Sequence, residues 1–138
     1  MKIAYSHRWD LTPAEAIKLQ RELASRVVLE DRIGQVNLVA GADLHFPQKG
    51  IAKAAVVVLS YPGLQIVESQ VAEGEAAFPY IPGLLAFRES PLVLEAFSRV
   101  SRSPDLLLVD GQGIAHPRRM GLACHLGIYL DIPSIGCA

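Results

Sequence analysis

The sequence predicts an α/β domain whose mixed sheet combines three antiparallel strands with parallel strands and is flanked by helices. Three observations favour this fold: a capped amphipathic helix near the start, three closely spaced strand patterns, and a wholly apolar run between two helical patterns. The length of 138 residues suits one domain, residues 1–138. The balance of 51% hydrophobic against 20% charged residues is that of a globular rather than a disordered chain.

Composition and charge exclude several classes of protein. No apolar run approaches the roughly 18 residues of a transmembrane helix, so we expect no membrane partner. The first residues lack the apolar core of a secretory signal. Cys124 and Cys137 are interpreted as reduced, mostly buried thiols of a cytoplasmic protein. A net charge of −1 does not indicate a nucleic-acid partner, although a near-neutral domain can carry a local basic groove.

The first predicted element is an amphipathic helix over residues 11–28. Thr12 is a good N-cap, Pro13 suits the first helical position, and Glu15 completes a capping box. Apolar residues at helical spacing give the helix one buried side. Its charged residues fall on the other side, which is most simply a solvated face.

Three strand patterns follow, over residues 36–46, 53–61 and 65–73. The segments between them are short and contain proline and glycine, which is typical of turns. Connections this short join antiparallel neighbours, because a parallel pair needs a crossover of about a dozen residues or more. The sequence therefore predicts an antiparallel meander.

The second half of the chain has a different pattern. Residues 78–83 form a rigid loop because its two prolines fix their own φ and restrict the residues before them. We predict two short helices next, over residues 84–89 and 91–101. Ser90 is the expected cap of the second helix, with Pro91 at its first position.

A short apolar run over residues 106–109 predicts a strand that is covered on both faces. A helix over residues 119–130 and a strand over residues 132–138 are expected after it. A three-strand meander beside parallel strands is the organisation of ribonuclease H-like domains. Such a fold analogy by itself says little about chemistry.

Three acidic residues stand in unusual settings. Asp43 lies inside a strand pattern, Asp110 ends the apolar run, and Glu89 lies in the predicted helix after the proline-rich loop. Acidic side chains are depleted from strands and are rarely buried unless they are paired or bind a metal. If the meander packs beside the Asp110 strand, Asp43 and Asp110 approach each other, and a divalent cation such as Mg²⁺ would remove their repulsion.

Residue types and spacing alone leave three interpretations of these carboxylates open. Each residue taken alone is more often a turn former or a partner in an ion pair than a metal ligand. Two carboxylates can also serve as the acid and base of a glycosidase. A metal-dependent phosphodiesterase is the third interpretation, since a bound ion activates water and stabilises a leaving oxygen.

Four stretches resemble the endonuclease V family: residues 41–43, 78–89, 105–119 and 132–138. The resemblance implies a ribonuclease H-like fold and a metal-dependent repair nuclease. Such an enzyme recognises deaminated bases, chiefly hypoxanthine in deoxyinosine, and nicks the second phosphodiester bond on the 3′ side. The expected partner is double-stranded or single-stranded DNA that contains deoxyinosine. Some family members also cleave inosine-containing RNA, which makes such RNA a second candidate substrate.

The resemblance also implies roles for individual residues. Asp43, Glu89 and Asp110 match the family's catalytic carboxylates, which bind Mg²⁺ or, as a substitute, Mn²⁺. His116 matches a histidine of the active-site motif. The family's strand-separating wedge matches a segment that we call the wedge loop: Pro79, Tyr80, Ile81 and Pro82.

Two further assignments are hypotheses about residues in the matching stretches. Three glycines would line a pocket for the extruded base, since glycine permits close backbone approach, although each could equally be a turn requirement: Gly83, Gly111 and Gly136. Three arginines would contact phosphates, although those before the last helix could simply be solvated: Arg88, Arg118 and Arg119. His45 is the only other histidine with a case for testing, because it shares a strand face with Asp43.

The chain departs from the family's pattern after Ala138. Family members continue there with an active-site lysine and with further strands and helices, none of which this chain contains. We therefore expect a domain that is incomplete at its C-terminus. Besides an active nuclease, the alternatives are a lesion-binding module that does not cut and an inactive fragment.

Overall fold

The computed structural model describes residues 1–138 and contains three helices and five strands. The helices are α1 Pro13–Ala24, α2 Leu85–Ser98 and α3 Leu122–Leu130. The strands are β1 Leu38–Gln48, β2 Ile51–Ser60, β3 Ile66–Glu75, β4 Leu106–Asp110 and β5 Ser134–Cys137. None of the three helices is both long enough and apolar enough to cross a lipid bilayer.

All five strands belong to one sheet with the order β3-β2-β1-β4-β5. The pairs β3–β2 and β2–β1 are antiparallel, whereas β1–β4 and β4–β5 are parallel. This arrangement confirms the predicted mixed sheet, in which an antiparallel meander continues into parallel strands. Strand β1 lies in the middle and joins the two halves.

The two faces of the sheet differ in how they are covered. Helix α2 packs on β2 and β3, and α3 packs on β4 and β5. Side chains that point to this face are wholly buried, as in Ala40, Val58 and Leu107. The opposite face is more open, since Leu108 and its partner Ile135 are 41% and 43% exposed. The expectation that β4 is covered on both faces is therefore wrong, because helices pack on one face only in this part of the sheet.

Helix α1 has the predicted cap but is shorter than predicted. The Thr12 side chain accepts a hydrogen bond from the backbone N–H of Glu15, and the Glu15 carboxylate accepts one from Thr12. The helix ends at Ala24 rather than at residue 28. After Ala24 the backbone N–H groups of Arg26 and Val27 donate to carbonyls three residues earlier, which is the tighter turn common at helix ends. Val28 is half-exposed, so extending the helix to it would bury little apolar surface.

One continuous helix, α2, replaces the two helices predicted on either side of Ser90. Pro91 lies inside it, and Ser90 is a buried residue of the helix rather than a cap. A proline in this position removes one helical hydrogen bond. Phe87 before it and Phe97 after it are both buried in the same core, so burial of the two apolar segments outweighs the lost bond.

Helix α3 begins at Leu122 rather than at residue 119. Arg119 has a φ of 58°, a left-handed conformation that a right-handed helix cannot contain. The cysteines are both free, as predicted, but only Cys124 is partly buried. Cys137 is exposed, which corrects the expectation that both thiols are mostly buried.

The N-terminal segment packs on α3 through a pair of histidines. His7 Nε2 lies 2.7 Å from Nε2 of His125, and the backbone N–H of His7 donates to the Tyr129 hydroxyl. Burial, together with the neighbouring His7, lowers the pKa of His125 to about 3. His125 is therefore neutral at physiological pH.

Candidate active site

Two of the predicted carboxylates lie side by side on the two central strands. Ala42 of β1 pairs with Val109 of β4, so Asp43 and Asp110 are the next residues of the two strands. Asp110 is the last residue of β4 and stands at the carboxyl end of a parallel strand, where open α/β sheets bind their ligands. The predicted approach of Asp43 and Asp110 across neighbouring strands is confirmed.

Glu89, the third carboxylate, comes from the first half of α2. Its Oε2 atom is buried and has no hydrogen-bond partner. Burial, together with the nearby carboxylates of Asp43 and Asp110 and against the opposing charge of Arg88, raises the pKa of Glu89 to about 7. The helix therefore brings Glu89 into the electrostatic field of the two aspartates.

These three side chains offer the oxygen ligands that hard divalent cations prefer. An orphaned buried oxygen on Glu89 fits such an ion, because a buried polar atom without a partner is costly. No three His, Cys, Asp or Glu side chains of residues 1–138 are close enough together to hold a metal ion by themselves. Mg²⁺ often takes one or two carboxylates and fills its other positions with water and phosphate oxygens.

Three residues of the wedge loop, Tyr80, Ile81 and Pro82, line a cavity. Tyr80 is 70% exposed. The cavity has a volume of about 450 Å³, and its walls include Gly83, Gly111 and His116. On the open face of the sheet a shallower groove of about 520 Å³ contains both Asp43 and Asp110. The cavity and the groove come closest where β4 and β5 end, because Asp110 lines the groove and the next residue, Gly111, lines the cavity.

A single carbonyl group holds the end of the wedge loop. The oxygen of Gly83 accepts hydrogen bonds from Gln20 Nε2 at 2.9 Å and from Arg118 Nη2 at 3.1 Å, and it lies 2.8 Å from His116 Nε2. Gly83 has a φ of 84°, a conformation that side chains other than glycine rarely adopt. The turn that closes the loop therefore requires glycine at this position.

His116 uses both ring nitrogens inside the protein. Its Nδ1 accepts from the backbone N–H groups of Arg118 and Met120, which leaves Nε2 as the donor to the Gly83 oxygen. Burial lowers the pKa of His116, against the opposite effect of its hydrogen bond to Gly83. In this structure His116 is therefore a neutral residue that supports the loop beside the carboxylates.

The three arginines have different surroundings. Arg88 donates to the Phe78 carbonyl at 2.8 Å and lies over the Phe46 ring at 4.5 Å. Arg118 is engaged with Gln20 and Gly83, as described above. Arg119 is exposed, so its side chain is the most accessible of the three.

The three predicted pocket glycines also differ from one another. Gly83 and Gly111 line the cavity, but Gly136 does not. A Cβ at position 136 would lie 2.5 Å from the backbone nitrogen of Gly113, so this glycine lets β5 approach the segment that follows β4. Gly121 has a similar requirement that sequence reasoning missed, since a Cβ there would lie 2.2 Å from the Gln112 oxygen.

Gln20 is another residue of the site that sequence reasoning missed. It lines the cavity from α1 and is wholly buried. A signal was present in the sequence, because Gln20 shares the buried side of α1 with Ala16 and Leu23 at helical spacing. A polar residue on an apolar helix stripe calls for a partner, but its sequence position cannot identify a partner on a distant loop.

Two sequence comparisons identify the same family. A sequence model of the Endonuclease V family matches residues 21–138. The Endonuclease V of Dehalococcoides mccartyi is 55% identical over 139 residues, which cover all of this chain and 62% of that relative. The chain thus spans less than two thirds of the length of this curated relative.

Comparisons of structure agree. The Endonuclease V of Streptomyces avermitilis superposes with a TM-score of 0.87 at 44% identity, over 93% of this chain and 57% of that protein. The Endonuclease V of Ciona intestinalis superposes with a TM-score of 0.80 at 32% identity, over 89% of this chain and 56% of that protein. Its structure is a complex with a 24mer DNA containing an inosine followed by a ribo-adenosine. These likenesses confirm the ribonuclease H-like fold.

We expect Glu89→Gln to stabilise the chelator-treated protein at pH 8. The folded chain keeps the Glu89 proton up to about pH 7, whereas the unfolded chain releases it near the ordinary pKa of 4.5. The folded state binds more protons between these values, so its stability falls as the pH rises through them. The variant should gain about 1–2 kcal/mol at pH 8, after allowance for solvent screening of a half-buried group.

Urea unfolding at pH 5 and at pH 8 measures this gain. Glu95→Gln is the matched control, since Glu95 lies exposed on the same helix and forms only a surface ion pair with Arg99. It should change stability by less than about 0.5 kcal/mol at either pH. An equal dependence on pH in Glu89→Gln and in the unchanged protein would contradict the burial of this carboxyl group.

Proposed function

Since the chain belongs to the endonuclease V family, we propose that it acts in metal-dependent cleavage of DNA at deaminated bases. The expected reaction nicks the second phosphodiester bond on the 3′ side of deoxyinosine in double-stranded or single-stranded DNA. Inosine-containing RNA is the second candidate substrate. The observation that carries this proposal is that Asp43 and Asp110 follow paired residues of β1 and β4 and act electrostatically on Glu89. An exposed tyrosine and a cavity, whose lining includes the residue after Asp110, support it.

In this proposal Asp43 and Asp110 hold a Mg²⁺ ion from the sheet, and Glu89 approaches it from α2. Mn²⁺ would be a substitute, since carboxylates and water also suit that ion. When bound, the ion supplies a water of lowered pKa and stabilises charge on the leaving oxygen. Glu89 must release the proton that it holds below about pH 7, so binding of the ion should strengthen as the pH rises through this value.

The wedge loop would fill the place of the extruded base. An enzyme that reads a base within a duplex must take it out of the stack, at a cost of a few kcal/mol. Tyr80 is exposed between prolines that restrict the loop, so its ring is available to stack on a neighbouring base. Such stacking is worth roughly 1–3 kcal/mol, which offsets much of that cost.

The cavity behind the wedge loop would receive the extruded base. Hypoxanthine presents an acceptor and a ring N–H on its pairing edge, and backbone groups at Gly83 and Gly111 would bind them. Gly136 has a supporting part in this proposal, because its backbone packs against Gly111 and Gly113. The close approach of a flat base to backbone needs glycine in both places.

Phosphate contacts are assigned mainly to Arg119, whose guanidinium is exposed. Arg118 and Arg88 have contacts within the protein, so their contribution to phosphate binding is the charge that they place near the loop. His116, which supports the Gly83 carbonyl, acts in this proposal by fixing the loop rather than by touching the scissile phosphate.

Lesion binding without cleavage is the second candidate function. One observation favours it: the exposed Tyr80 and the lining of the cavity include none of the three carboxylates, so base binding does not require them. Both functions share the wedge loop and the cavity. They differ in whether the carboxylates support hydrolysis.

We expect the protein with Mn²⁺ or Mg²⁺ to nick a labelled duplex that contains one deoxyinosine and to leave a control duplex intact. Asp43→Asn and Asp110→Asn should each lower the rate roughly 100-fold or more, because each removes charge that holds the ion. Glu73→Gln, an exposed carboxyl on β3, should leave the rate unchanged.

The same samples are scored for binding by electrophoretic mobility. Binding to the deoxyinosine duplex without nicking would favour the second function over the first. Nicking that persists in Asp43→Asn would contradict the assignment of the carboxylates.

Two variants should separate stacking from charge in DNA binding. We expect Tyr80→Ala to weaken binding of the deoxyinosine duplex roughly tenfold without changing the dependence on salt, since stacking releases no counterions. Arg119→Ala should weaken binding to deoxyinosine and control duplexes alike and lower the salt slope by about one. Affinity titrations at several salt concentrations measure both effects, and Tyr61→Ala serves as a control at another exposed tyrosine.

Gly111→Ala should lower the preference for deoxyinosine over undamaged DNA roughly tenfold, because the added methyl group would prevent one or two backbone hydrogen bonds to the base. The new methyl group would lie 3.2 Å from the Leu122 side chain, at the wall of the cavity. Gly34→Ala is the control, because a Cβ there has nothing within 4 Å. Unchanged preference in competition binding would exclude Gly111 from the base pocket.

A further inference from the structure

Gln20 is the polar residue of α1 that is wholly buried. Its side chain crosses from the helix to the end of the wedge loop and to the segment that follows β4. The amide nitrogen donates to the Gly83 oxygen at 2.9 Å, and the amide oxygen accepts from Arg118 Nε at 2.6 Å. One side chain therefore joins three parts of the chain that are distant in sequence.

Both ends of the amide are needed for this arrangement. Arg118 has only donors, so it requires an acceptor, and the Gly83 carbonyl requires a donor. A glutamate at position 20 would satisfy Arg118 but would set a carboxylate against the Gly83 carbonyl. An apolar side chain of the same size would satisfy neither group and leave buried polar atoms without a partner.

The Gly83 carbonyl stands immediately after the wedge loop. It lies within hydrogen-bond distance of Gln20, Arg118 and His116. His116 and Arg118 come from the same segment, so Gln20 is the contact that ties the loop to α1. Gln20 uses one N–H of its amide on the Gly83 oxygen and accepts at its amide oxygen from Arg118, so its observed contacts are with the loop and its support.

We propose that Gln20 is a positioning residue that fixes the wedge loop and the adjoining wall of the cavity, and thereby sets the preference for an extruded base. The second part of this inference, the preference for an extruded base, rests on the proposed function. The first part, the anchoring of the loop, is a property of the free protein and does not need DNA.

The first experiment is hydrogen exchange of the free protein, followed by mass spectrometry over peptides that cover residues 78–84. Gln20→Met keeps the volume and loses both hydrogen bonds, whereas Gln20→Glu keeps the acceptor for Arg118 and loses the donor to Gly83. Both variants should exchange in this segment roughly tenfold faster than the unchanged protein. Glu22→Met, an exposed position on the same helix, should not change it.

The second experiment is competition binding of deoxyinosine and undamaged duplexes to the same proteins. The ratio of the two affinities should fall roughly tenfold in Gln20→Met and Gln20→Glu, while affinity for undamaged DNA stays within about twofold. A merely structural role would not alter this ratio, because general loss of folded protein lowers both affinities together.

Faster exchange in both Gln20 variants together with a lower affinity ratio supports the proposal. Unchanged exchange in residues 78–84 for Gln20→Glu overturns it, and so does faster exchange with an unchanged ratio. If the unchanged protein binds both duplexes equally, the proposed function fails. In that case the exchange data alone decide whether Gln20 anchors the loop.

Discussion

The parallel pairing of β1 with β4 is the constraint on which the candidate site depends. It sets Asp43 beside Asp110 at the point where β4 ends. Two like charges in this position repel, and burial together with the field of both raises the pKa of Glu89 on α2. The sheet thus concentrates negative charge that a divalent cation would neutralise, so a net charge of −1 is a poor guide to phosphate binding.

A second centre of organisation is the carbonyl of Gly83. Donors from α1 and from the segment after β4 meet at this one oxygen, so the wedge loop is held from two sides. The same oxygen gives His116 a partner for its Nε2 proton. Because these partners come from distant parts of the sequence, only the tertiary structure holds the wedge loop in place.

Much of the fold could be predicted because its signals are local. The capping box at Thr12, the short connections of the meander and the strand before Asp110 each depend on neighbouring residues, and all three are confirmed. The expected cover on both faces of that strand is wrong, because Leu108 is exposed. The break predicted at Ser90 is wrong, because burial of the apolar residues on both sides of Pro91 keeps α2 continuous. Propensity near a proline carries no information about the surface on which a helix packs.

The sequence by itself determined the chemistry of the site: which side chains are acidic, which loop is stiffened by prolines, and which stretches resemble a known family. Only the tertiary structure decided how these residues are used. It gave Glu89 a buried, unpartnered oxygen, turned both nitrogens of His116 inward, and made Gln20 a link between α1 and the wedge loop. The physical reason is that pKa values and hydrogen-bond partners depend on burial and on atoms a few ångströms away, which a linear pattern does not contain.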